Sequence, residues 1–98
     1  MGGGDRLMTM IPALPGAELV EHGLKDAARG VESVAALLVW IGAPRLRRLG
    51  YDVPPGPAAP EHRLYELLRR EDPDAAHARY NALVRRLVSF TRAAACAR

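Results

Sequence analysis

With 98 residues, 49% of them hydrophobic and 26% charged, the chain has the makeup of one small globular domain and not of a disordered or fibrous segment. Its single cysteine, Cys96, excludes an intramolecular disulfide framework and makes a reducing, cytoplasmic setting the default expectation. The net charge of +3 is modest, and no apolar run approaches the roughly 20 residues that span a bilayer, so no membrane partner is expected.

Residues 1–16 read as a flexible lead. Leu7 to Leu14 is too short and too interrupted, by Pro12 and Pro15, to be a signal-peptide core. The Met1-Gly2 start lacks the Ser or Thr that a myristoylation motif wants at position 6, where Arg6 stands. The Pro15-Gly16 break ends this lead, and the domain is expected over 17–98.

Ala17 to Arg29 is the first expected helix, with Leu19, Val20, Leu24, Ala27 and Ala28 on its buried side. Gly23 inside it costs on the order of 1 kcal/mol relative to Ala, which suggests a neighbour packed close. Gly30 suits the position just past the helix, and Ser33 can cap the next one. Val34 to Ile41, VAALLVWI, carries eight apolar residues without a polar one. Its Ala and Leu content favours a helix over a strand, and Gly42-Ala43-Pro44 stops it. Pro44 to Leu49 fits one or two short helical turns, with Leu46 and Leu49 inward and Arg45, Arg47 and Arg48 outward. Gly50 closes it.

Asp52 to Pro60, DVPPGPAAP, is an extended, proline-rich connector, too short and apolar for a flexible domain linker. Pro60 opens a helix through about Glu71, with Leu64, Leu67 and Leu68 inward and a Glu66–Arg70 pair outward. Asp72 then caps the longest helix, Asp72 to Ala95, with Pro73 at its first position. Ala76, Tyr80, Leu83, Leu87, Phe90 and Ala94 recur at helical spacing on one stripe, which Val84 and Val88 widen. This helix is expected to organise the chain. The fold class is therefore all-α: a small bundle of about four main helices plus a short helical turn, a Pro-rich connector and a C-terminal antiparallel helical hairpin.

Charge is divided unevenly. Residues 1–41 carry three basic and five acidic side chains, a balance of −2, whereas residues 42–98 carry eleven and six, a balance of +5. Arg45, Arg47, Arg48, Arg85 and Arg86 are candidates for a phosphate-binding face, and an acidic protein or nucleic acid is a possible partner. Arginines solvating the outer face of an amphipathic helix explain the same pattern, and no helix-turn-helix, zinc-finger, RRM or KH signature accompanies it.

No catalytic or metal-binding set emerges. His22 with Asp26 and His62 with Glu66 have the i,i+4 spacing that lets two side chains reach one ion, but ordinary surface ion pairs account for both. Arg70 and His77 offer a ribonuclease-like phosphate clamp and proton carrier, on two residues alone. Cys96, Ser33, Ser89, Thr9 and Thr91 lack any motif around them, and no cofactor is expected. An eight-residue helix apolar all round needs cover on every side, and with its core-facing side assigned to Val34, Leu37, Leu38 and Ile41 the other side carries Val39 and Trp40. Together with Tyr51 these are interface candidates for a homodimer. The alternative is that the connector covers Trp40 within the monomer. The expected function is thus non-catalytic association, as a homodimer or partner-binding module. Nucleic-acid binding or regulation comes second, and a metal-independent ribonuclease-like activity third.

Overall fold

The computed structural model describes residues 14–97, and the expectations placed on residues 1–13 lie outside them. Five helices follow in order: α1 Ala17–Ala28, α2 Val34–Ile41, α3 Ala43–Arg48, α4 Pro60–Glu71 and α5 Ala76–Ala97. There is no strand among the described residues.

Local chemistry sets the boundaries. Gly16, at φ 77, turns the chain into α1 with a conformation that favours glycine. At the far end of α1, Gly30 (φ 73) lets its own N–H reach the Ala27 carbonyl at 3.0 Å and the Val31 N–H reach the Asp26 carbonyl at 2.9 Å. These are the paired bonds of a Schellman stop. Ser33 then caps α2: its Oγ accepts from the Ala36 N–H at 3.1 Å and donates to Asp26 Oδ2 at 2.7 Å. One side chain therefore both starts α2 and ties it to α1. Gly50 repeats the α1 ending after α3, with Gly50 N–H on the Arg47 carbonyl and Tyr51 N–H on the Leu46 carbonyl, each at 3.0 Å.

The centre of the fold is α2, not the C-terminal helix. All six residues from Ala35 to Trp40 are buried, and α1, α3, α4 and α5 each pack on this one element. On the α1 side, a Cβ at Gly23 would collide with the Ala35 carbonyl and a Val39 methyl, so the missing side chain is what lets the two backbones approach. On the α5 side, a Cβ at Gly42 would stand 2.9 Å from a Leu87 methyl. Leu64 and Leu68 of α4, both fully buried, belong to the same core.

Two sequence expectations change here. The exposed Trp40 that motivated a dimer does not exist, because Trp40 is 8% exposed and Val39 fully buried within the chain. Trp40 Nε1 donates to the Pro54 carbonyl at 3.0 Å, and Gly56 lies so near the indole that a Cβ would come within 2.6 Å of it. The segment 53–56 is held there by Arg47, whose Nε and Nη2 donate to the Val53 carbonyl at 3.0 and 2.9 Å. The second change is at the start of α5, where regular helix begins at Ala76. Asp72 instead caps a turn over 73–75, accepting from the N–H groups of Asp74 and Ala75 at 3.2 and 3.3 Å. From that turn α5 packs along α4, with Tyr65 and Tyr80 in an edge-to-face contact at 5.9 Å.

Gly23→Ala separates two effects of opposite sign. Helix propensity alone would stabilise α1 by up to about 1 kcal/mol. The collision with Ala35 and Val39 outweighs this, and a net destabilisation of about 1–3 kcal/mol is expected in urea unfolding. A stabilised variant would show that α1 and α2 stand further apart.

A milder change tests the cover over the indole. Trp40→Phe removes the bond to Pro54 and is expected to lower stability by about 1–2 kcal/mol, while the helical circular dichroism persists.

Candidate functional site

The three arginines of α3 have different fates. Leu46 is buried and Arg47 reaches back to the carbonyls of Val53 and Pro54, so the remaining side of the helix carries Arg45, Arg48 and, just beyond it, Leu49. These three face α5, where Thr91, Arg92 and Ala95 complete a cavity of about 480 Å³. A neighbouring cavity of about 310 Å³ continues along α5 between Ile41, Pro44, Val84 and Val88, over Leu87. Arg45 and Thr91 border both, so the two form one groove between α3 and α5. Among the described residues its lining is apolar at one end, arginine-rich at the other, and nowhere acidic.

Geometry fixes which residues take part. Val84, Val88, Thr91 and Ala95 fall at i, i+4, i+7 and i+11, a second stripe on α5 beside the core-facing one. Val84 and Val88 are expected to widen the core face; Val84 does pack against the core, and both, half-buried, also line the groove. Thr91 is buried and its hydroxyl donates to the Val88 carbonyl at 3.1 Å. That bond satisfies the hydroxyl locally and keeps the groove floor apolar. Arg45 and Arg92 are exposed and form no ion pair among the described residues.

The other candidates are dispersed. Arg85 is exposed on α5 outside the groove, and Arg86 borders a separate small cavity with Leu14, Gly16 and Glu18. Tyr51 is half-buried, its ring 5.8 Å from that of Phe90. Of the possible metal pairs, His62 and Glu66 stand 4.0 Å apart, while Asp26 is engaged by Ser33 and Arg29 rather than His22. Glu66 pairs with Arg69, at 3.3 Å, and not with Arg70. Among the described residues no group of three or more His, Cys, Asp or Glu side chains could hold a metal ion. Arg70 borders a cavity with His62 and Arg63, whereas His77 sits at the start of α5 beside Asn81, its Nε2 3.2 Å from the amide. The two do not share that cavity.

Arg92, Pro44, Ile41 and Val84 were not singled out from the sequence as site residues. The signal was present as the unassigned 84–88–91–95 stripe, but periodicity alone cannot say which neighbour stops short of covering it. One tyrosine has a shifted ionisation: burial, with the Glu61 charge adding to it, raises the Tyr80 phenol above 10.0. Its contribution to stability is therefore present below that pH and is lost as pH rises through the folded-state value.

No helix among the described residues is long and apolar enough to cross a membrane. Comparison with family models, curated proteins and solved structures finds no match to this chain.

The division among the arginines predicts unequal effects on stability. Arg47→Ala releases the segment over Trp40 and should cost about 1–2 kcal/mol in chemical denaturation. Arg45→Ala and Arg92→Ala should each stay within about 0.5 kcal/mol, as for substitutions on an open surface.

Proposed function

We propose that this protein is a non-catalytic helical interaction module that binds a partner through the groove between α3 and α5. The observation that carries this reading is the groove itself, where half-buried apolar side chains run on into an arginine cluster with no acidic residue among the described residues of the lining. Apolar surface framed by charge is the usual composition of a protein-docking face. The nucleophile candidates support association over catalysis. The Ser33 hydroxyl is spent on Ala36 and Asp26, and Cys96 is a free, exposed thiol near the end of α5. Such a thiol suits a reducing, cytoplasmic setting. The homodimer expected from an uncovered Trp40 loses that motive, since the ring is covered within the chain, although a second copy remains one kind of partner for the groove.

Nucleic-acid binding is the second reading, favoured by Arg45, Arg48 and Arg92 on one surface. Weighing against it, Arg47 is committed to backbone carbonyls, and Arg29, Arg63, Arg69 and Arg79 are paired with carboxylates. Those five cations are not available to follow a phosphate backbone.

A photo-crosslinking residue placed at Val88, compared with one at Lys25 on the exposed side of α1, tests the module reading. A defined protein adduct from Val88 and none from Lys25 is expected in an extract of the source cell. Equal adducts from both positions, or none from either, would sink the proposal. A tight, sequence-selective complex with nucleic acid at physiological salt would put the second reading first.

A further inference from the structure

The groove specifies more about its occupant than that it is a protein. From Val84 to Ala95 the α5 stripe covers eleven residue steps, about 16 Å or three helical turns. The first half meets Ile41 and Pro44, and the second meets Arg45 and Arg48, with Arg92 on the facing side. Resting on the docking reading above, we propose that the groove binds an acidic amphipathic helix of about three turns from another protein. Two apolar side chains one turn apart fill the Ile41–Pro44–Val84–Val88 end. Two or more carboxylates, one to two turns further along the same face, lie at Arg45 and Arg92, which form no ion pair among the described residues.

Each part of that description has a physical reason. The occupant is helical because the groove walls are helices, whose backbone groups are already bonded internally and offer no strand edge to an extended peptide. A chain seated there has to satisfy its own N–H and C=O groups. It is acidic because the Arg45 and Arg92 guanidinium groups border the groove with no carboxylate among the described residues of its lining, and Arg matches carboxylate geometry two bonds at a time. It is apolar at one end because Val84 and Val88 offer nothing to a phosphate or a sugar. Among the described residues no aromatic side chain lines either cavity to stack a base. It is not a second copy of the described chain, since no helix here displays the matching face. The residues most exposed on α1 are Glu18, His22, Lys25 and Ala28, and Val31, in a loop, is the exposed large hydrophobic among the described residues.

The test is a display library of helix-stabilised peptides of about four turns, randomised on one face and panned on the whole protein at physiological salt. Enriched peptides are expected to share an i,i+4 apolar pair followed within two turns by at least two Asp or Glu. Their affinity should fall at least about tenfold in the Arg45→Glu, Arg92→Glu double variant and with a rise in salt, and should be unchanged in Arg85→Glu. Exchanging Glu for Lys in a selected peptide should abolish binding. Neutral or basic winners would overturn the proposal, as would no winners or affinity indifferent to Arg45 and Arg92. So would a homodimer dissociated by Val88→Glu, or a nucleic acid that takes the groove in place of the peptides. The crosslinking result separates the two levels of inference. A Val88 adduct to a partner lacking such a helix leaves the docking reading intact and removes this one, whereas no adduct removes both.

Discussion

An eight-residue helix with no polar side chain is the constraint from which the rest of this structure follows. Nothing on α2 gains by facing water, so four elements and an irregular segment are drawn around it. Two glycines make that enclosure tight. Gly23 brings α1 to backbone contact at Ala35, and Gly42 admits Leu87 of α5. A domain this small has little core to spend, and it concentrates its largest fully buried side chains, Phe90, Leu37, Leu38, Leu46, Leu64 and Leu68, around this one axis.

Covering Trp40 has a consequence for the surface. The indole is large and carries one N–H, so its cover has to bring both apolar bulk and an acceptor. The proline-rich segment brings both, through Gly56 against the ring and the Pro54 carbonyl on Nε1. Prolines suit the task because they lack an N–H, leaving fewer donors to satisfy as the segment lies on the core. Arg47 then clamps the same segment at Val53, which fixes how α3 is turned. With Leu46 down and Arg47 toward the segment, Arg45 and Arg48 have only the α5 side left. The basic end of the groove is thus a by-product of enclosing α2.

Local signals in the sequence anticipated the elements well. Val34–Ile41 and Pro60–Glu71 fall where composition and punctuation put them, and Ser33, Gly30 and Gly50 act as capping and stop chemistry requires. Gly23 marks a close approach, as an otherwise costly glycine in a helix suggested. What the sequence left open is three-dimensional. Spacing tells that Trp40 and Val39 share a side of α2, but not that a segment fourteen residues later folds back onto it. Likewise Val84 and Val88 fit the edge of the core stripe by angle, yet α3 is only six residues long and leaves them half-covered. The groove arises from where short elements end, and periodicity within one helix carries no information about the length of its neighbour.

The distribution of ion pairs gives the groove a meaning that its shape alone does not. Four arginines outside the groove sit beside carboxylates: Arg29 with Asp26, Arg63 with Glu32, Arg69 with Glu66 and Arg79 with Glu71. Each of these pairs contributes little to stability, on the order of 0 to 1 kcal/mol. In the groove Arg45 and Arg92 form no ion pair among the described residues, and no Asp or Glu stands among the described residues that line it. Arg45 and Arg92 are exposed, so their mutual repulsion is weak, and nothing in the enclosure of α2 requires Arg92 to be there. A fold shaped by stability alone would gain from a carboxylate at that position. On the docking reading proposed above, a partner's carboxylates would neutralise Arg45 and Arg92 while the same partner covered the valines.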